Sequence, residues 1–257
     1  MNITHALLLG LIEGITEFLP ISSTGHMILA GKLLSIPQTD FLTSFEIIIQ
    51  LGAIAAVVVS YIHTLLSKQF LWKPLLYAFI PTGIIGYLLY KIVKHFLLGN
   101  AFIVVWSLTI GGIAFLLMEQ FVKNRPAKTT TLEGITPMQA MAIGLGQTLS
   151  MVPGVSRSAA SIFSGLISGL SREIAVEFSF LLAIPTMVAA VGLDIIKTPF
   201  AFNTTTIPIL LIGLVTAFIT ALFAIKLFLQ FVKQHTFLPF ALYRITLAGL
   251  FFCFILR

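Results

Sequence analysis

Two carboxylates, Glu13 and Glu17, stand four positions apart in an aliphatic run and are followed closely by Pro20, Ser22, Ser23, Thr24, Gly25 and His26. On a helix this spacing turns both carboxylates to one face. There they repel unless a cation, an arginine or a shared proton compensates. The pair suits divalent-metal binding or acid–base work, since ionisable groups kept in an apolar setting are usually functional. The hydroxyls after the proline can cap a helix. Ser23 and His26 are also spaced to act as a nucleophile and its base, and the first amides of a helix starting there favour an anion. A second polar stretch, Pro153-Gly154-Val155-Ser156-Arg157-Ser158, carries the opposite charge. An arginine between hydroxyls at a helix start can grip phosphate bidentately. It can equally pair with Glu13 or Glu17 until an anion arrives.

These residues need elements to hold them, and the composition says which. The chain has 257 residues, 58% hydrophobic and 9% charged, with a net charge of +6. Its mean hydropathy is +1.06. A soluble domain carries roughly a quarter charged residues, and several apolar runs here approach the ~20 residues of a membrane span. The expectation is an all-α polytopic membrane protein forming a single integral membrane domain over residues 1–257. A barrel would need short alternating strands, whereas these runs are continuous. The first run lacks a basic lead and is interrupted by glutamates, so it reads as mature chain rather than signal peptide. The single Cys253 excludes a disulfide framework within the chain.

Residues 4–19 and 26–36 are each too short to span and meet at a Pro/Ser/Gly break, which predicts a re-entrant broken hairpin. Spans follow at 45–66, 75–90 and 101–122, then a polar connection at 123–131. The pattern then restarts. Short pieces at 138–152 and 159–170 flank the second break, and spans follow at 174–196, 207–232 and 237–256. This gives about six transmembrane helices plus two broken hairpins, in halves 1–122 and 138–257. Aligning Pro20 with Pro153 also aligns Ser23 with Ser156. An odd number of spans between the hairpins makes the repeat inverted, a pattern that points to a binding site at the repeat interface. Lys68, Lys73, Lys123, Arg125, Lys128, Arg172 and Lys233 then share one face; Lys32, Lys91, Lys94, Lys197 and Arg257 share the other. The positive-inside rule puts the first set in the cytoplasm and the first hairpin outside.

Other polar residues say less. Gln50 either lines the same cavity or makes an interhelical hydrogen bond. Arg244 and Lys226 are expected to snorkel or pair. There is no Walker loop, no Cys/His zinc spacing and no basic-aromatic surface for nucleic acid. Oligomeric state stays open, a homodimer included.

The stretch Glu13-Gly14-Ile15-Thr16-Glu17-Phe18-Leu19-Pro20-Ile21-Ser22-Ser23-Thr24-Gly25-His26 resembles the glutamate-rich signature of the bacterial undecaprenyl-pyrophosphate phosphatases, the bacitracin-resistance type. Residues 153–158 resemble that family's second signature, and the likeness extends over essentially the whole chain. Ser161 stands where the family more often has Thr. The resemblance implies a hydrolase of the bacterial plasma membrane that takes a polyprenyl diphosphate lipid from the bilayer. It would convert undecaprenyl diphosphate to the monophosphate carrier for cell-wall synthesis, with an active site toward the outer face. It implies a divalent cation, Mg²⁺ or Ca²⁺, on Glu13 and Glu17. It further implies catalytic roles for Glu17, Ser23, His26 and Arg157, with phosphate contacts from Ser22, Thr24, Gly154, Ser156, Arg157 and Ser158. Ser23, His26 and a metal-activated water all remain candidate nucleophiles. The lipid phosphatases with a Ser-Arg…His-x-x-x-Asp motif fit poorly, since no His follows Arg157 until His235. The competing class is a transporter or lipid flippase, in which inverted broken hairpins are also at home.

Overall fold

The computed structural model describes residues 1–123, 125–197 and 206–254. Asn124 in the polar connection and Arg257 in the basic set lie outside the described residues. Among those described there is no strand, only an isolated bridge between Thr129 and Leu170. Five helical segments are long and apolar enough to cross a membrane: Asp40–Ser67, Gln69–Leu97, Ala101–Lys123, Arg172–Lys197 and Thr206–Gln234. The chain is an all-α polytopic membrane protein. At the sixth expected span, 237–256, the described part of α11 is Leu238–Phe254, 17 apolar-rich residues, and 255–257 lie outside the described residues.

The short helices end where the sequence withdraws backbone donors or supplies caps. α1 (Ile3–Thr16) opens on Asn2, whose side chain accepts from His5 N, and stops just ahead of Pro20. α2 (Ser23–Leu33) starts from Ser22. α3 (Asp40–Ile48) and α4 (Gln50–Ser67) form one nearly continuous segment broken at Ile49. α5 (Trp72–Ile92) carries Pro81 inside and loosens into a π-turn at Val93–Leu97. α6 (Ala101–Lys123) ends the first half. α7 (Pro137–Gln147) has a full capping box, Thr136 with Gln139, and a proline at its start. α8 (Arg157–Ile167) starts from Ser156. α9 (Arg172–Lys197) and α10 (Thr206–Gln234) complete the set with α11.

The interior is built by α4, α9 and α10, with Ala53, Val57, Phe178, Leu181, Ala221 and Phe228 among its buried residues. Around it the packing alternates between halves: α1 lies along α10, as α7 lies along α5. The two half-helix hairpins open to opposite ends. The α7–α8 pair is tied by Gln139 Nε2 to Ser168 O (3.0 Å). It shares its end with the Lys68–Glu133 (2.9 Å) and Arg172–Glu119 (2.7 Å) bridges. The α1–α2 pair opens at the other end, where Gln38 approaches both Gly31 and Gly99 and where Lys94 pairs with the buried Asp194.

α5 and α7 press together where Gly144 faces Ala78. A Cβ on Gly144 of α7 would lie 2.0 Å from the carbonyl oxygen of Ala78. Gly144→Ala is expected to cost about 1–3 kcal/mol by overpacking, read as a lower Tm in detergent. An unchanged Tm would show that α5 and α7 are free to separate.

Candidate active site

Each hairpin is broken by a serine in left-handed backbone. Ser22 has φ +73° and Ser156 φ +79°, a conformation that costs a non-glycine residue of order 1–3 kcal/mol and persists where its surroundings fix it. Each of these serines caps the helix it precedes. Ser22 Oγ accepts from Gly25 N at 3.2 Å, and Ser156 Oγ accepts from Ala159 N at 3.2 Å. The next residue is therefore the first of a half-helix: Ser23 on α2 and Arg157 on α8. By geometry Ser22 matches Ser156 and Ser23 matches Arg157, one residue off the register expected from Pro20 and Pro153. The caps, not the prolines, are the equivalent points.

At these positions the two halves meet. Ser23 Oγ donates to Glu17 Oε2 at 2.5 Å. Glu17 Oε1 accepts from Arg157 Nη2 at 3.0 Å. Arg157 Nη1 donates to Ser179 O at 2.8 Å, while Arg157 Nε has no acceptor among the described residues. All three side chains are buried, so the interaction is little weakened by water. Ser161, the departure from the family pattern, bonds Ser179 Oγ at 2.7 Å and so braces the arginine's partner. The expected pairing of Arg157 with a glutamate is present, and Glu17 is the partner.

Glu17, Ser22, Ser23, Thr24, Gly154, Ser156 and Arg157 line a cavity of about 1040 Å³ between α5 and α9, and Gln50 lines it too. Most of its remaining wall is apolar, including Phe79, Ile84, Leu88, Met187 and Leu193. The site is thus a polar patch with two helix N-termini at one side of an apolar chamber, suited to an anionic head on a greasy tail.

Three expected site residues do not line this cavity. His26 does not reach Ser23 as its base. Its Nδ1 lies 2.7 Å from Ser22 O and its Nε2 lies 2.8 Å from Tyr243 Oη, so both ring nitrogens are engaged away from the serine hydroxyl. Glu17 holds the position that His26 was expected to hold. Ser158, expected on phosphate, instead donates to Leu19 O at 2.8 Å and pairs with Ser156 Oγ at 3.0 Å, tying one turn to the other. Glu13 is fully buried behind Glu17, and neither of its carboxylate oxygens has a hydrogen-bond donor among the described residues.

The sequence also hid several contributors. Gln147 lines the cavity, and its Oε1 is buried without a partner among the described residues. Arg244 neither snorkels nor pairs with a carboxylate; it is fully buried and bonds only backbone carbonyls. A charge in the middle of a C-terminal apolar run was the available signal. Among the described residues no three acidic, His or Cys side chains gather as a metal cage. The residues that could hold a hard cation are Glu13, which has no hydrogen-bond partner among the described residues, and Glu17. Such a two-carboxylate set, completed by substrate phosphate and water, is the kind that Mg²⁺ commonly uses.

A family model described as bacitracin resistance protein BacA matches residues 6–250. An undecaprenyl-diphosphatase of Aquifex aeolicus is 48% identical over 252 residues, covering 98% of both chains. Undecaprenyl-diphosphatases of Persephonella marina and Campylobacter hominis are also 48% identical, over 256 and 260 residues, and cover 100% of both chains.

The buried, donorless Glu13 beside a second carboxylate opposes folding. In detergent free of divalent cations and at neutral pH, Glu13→Gln is expected to raise stability by roughly 0.5–2 kcal/mol, seen as a higher Tm. An equal or lower Tm would show that the carboxylate is already compensated.

Proposed function

Because the chain belongs to the bacitracin resistance protein BacA family, we propose that it hydrolyses undecaprenyl diphosphate to undecaprenyl phosphate and inorganic phosphate. This reaction recycles the lipid carrier for cell-wall synthesis, and its family links it to bacitracin resistance. One observation carries the reading. Ser23 is hydrogen-bonded to a carboxylate that is itself ion-paired to Arg157, at the polar edge of an otherwise apolar cavity.

The geometry supports a sequence of steps. The terminal phosphate enters between the starts of α2 and α8, and Arg157 exchanges Glu17 for phosphoryl oxygens. Glu17, released from the guanidinium, accepts the Ser23 proton. Ser23 Oγ attacks the terminal phosphorus, and the bridging P–O bond breaks with undecaprenyl phosphate leaving. Water then hydrolyses the phosphoserine and frees inorganic phosphate. Thr24, Ser22, Ser156 and Gly154 border the space the phosphate would fill. Glu13 with Glu17 would hold a divalent cation, Mg²⁺ or Ca²⁺, which when bound supplies neutralisation of diphosphate charge. Removal of any cation by EDTA is expected to lower the Tm of wild type but not of Glu13→Gln, with recovery on adding Mg²⁺ or Ca²⁺.

The arrangement also supports an inverted repeat of halves 1–122 and 138–257, since exchanging the halves carries α1 on α10 into α7 on α5. The cavity reaches the end of the molecule at Lys94, Leu98 and Asp194. That is the end opposite the richer basic set, so the positive-inside rule opens the site outward from the bacterial plasma membrane.

Purified protein in detergent is expected to release phosphate from undecaprenyl diphosphate. Arg157→Ala and Glu17→Ala should each lower kcat by at least roughly 10²–10³ without loss of folded protein, and Ser23→Ala should abolish any trapped phospho-enzyme. A near-wild-type rate for Arg157→Ala removes the clamp. Rapid-quench experiments without a covalent adduct would replace Ser23 by a water nucleophile. Lipid translocation in liposomes with no phosphate release would make the chain a transporter.

A further inference from the structure

The two broken turns come from distant parts of the chain, yet few bonds join them directly. One is Ser158 Oγ to Leu19 O, and another is Arg157 to Glu17. The second of these must open when Arg157 takes a phosphate. A fixed spacing between the turns therefore needs a support that the reaction does not disturb. We propose that Tyr243 and Arg244, neighbours on α11, are positioning residues that hold the two turns in register for catalysis. The inference rests on the hydrolase reading, because turnover is its main readout.

Arg244 reaches both turns at once. Its Nη1 donates to Pro20 O of the first turn and Val155 O of the second, each at 3.0 Å. Its Nη2 donates to Gly154 O at 2.9 Å and Ser107 O at 3.2 Å, and Nε donates to Leu108 O at 3.4 Å. A guanidinium has five N–H groups in a rigid fork, and here each finds a carbonyl. A lysine, with its donors on one atom, cannot span this set. The fork lies against Gly111 of α6, where a Cβ would come 2.2 Å from Nη2 and 2.8 Å from Cζ. The second turn is equally confined. Gly154 has φ +94°, and a Cβ there would lie 2.8 Å from Val104 O. Burying a cation without a carboxylate is expensive, and three of its five carbonyl bonds go to the two active-site turns while the other two go to α6, which points to placement as the return.

Tyr243 completes the support on the first turn. Its ring stacks on His26 at 5.6 Å between centroids and 3° between planes. A carbonyl oxygen can only accept, so His26 Nδ1 donates to Ser22 O, and in the neutral ring Nε2 then accepts a hydrogen bond from the Tyr243 hydroxyl. Ser22 is the left-handed residue immediately before Ser23. The order of support is thus Tyr243, His26, Ser22, Ser23.

The test measures kcat and KM for undecaprenyl diphosphate, together with the imidazole ¹⁵N resonances of histidine-labelled protein, His26 being identified by loss in H26Q. Arg244→Lys should lower kcat by roughly 100-fold, the cost of about an ångström of misplacement, with KM within about threefold of wild type. Gly111→Ala keeps the arginine but displaces its plane, and should give the same split if Arg244→Lys fails to fold. Tyr243→Phe should lower kcat roughly tenfold, the effect of one lost hydrogen bond, and shift the His26 resonance. Turnover within about threefold of wild type in Gly111→Ala, or a loss carried by KM alone, overturns the proposal. Should wild type release no phosphate at all, the hydrolase reading has failed; the support is then judged on whether Tyr243→Phe moves the His26 resonance, and an unmoved resonance overturns it.

Discussion

The ion pair between Glu17 and Arg157 joins residues 140 positions apart in the chain at a buried point where each half-helix hairpin ends. Either charge would be costly there alone. A single carboxylate or guanidinium withdrawn from water costs several kcal/mol, and breaking a buried pair leaves that penalty uncompensated. The fold is arranged to deliver both ends of this pair. Two helices stop midway, two serines take up left-handed backbone, and the first residue of each new helix, Ser23 or Arg157, carries a side chain of the candidate site. The pair also stores selectivity, because only a ligand bringing comparable negative charge can replace Glu17 on Arg157.

The bilayer explains why such interruptions are permitted. Non-helical backbone at membrane depth is tolerated where protein or a polar cavity satisfies it. Here the carbonyls of Pro20, Gly154 and Val155 are satisfied by Arg244, and Leu19 O by Ser158. The turns thus keep their carbonyls hydrogen-bonded despite lacking regular structure.

Much of this was legible in the residues. Hydropathy revealed the all-α membrane architecture, and the two interrupted runs marked the site, since Glu17, Ser23 and Arg157 do converge. What the chain order could not show was direction. His26 lies three residues from Ser23 and looks like its base, yet on the first turn of α2 the ring swings to Tyr243 while Glu17 takes the hydroxyl. Proline drew the alignment of the halves one residue out, because the equivalence resides in the caps. Arg244 looked like a snorkelling charge because its partners are carbonyls, which every residue has and no sequence advertises.

α5 stands at the cavity with Ile84 and Leu88 both exposed and lining the chamber. A wall of this kind joins the chamber to the lipid phase rather than to water. The meaningful concentration of substrate is then its surface density among other lipids. Diluting a fixed amount of substrate into more detergent or more phospholipid lowers the rate even when its concentration per litre is unchanged.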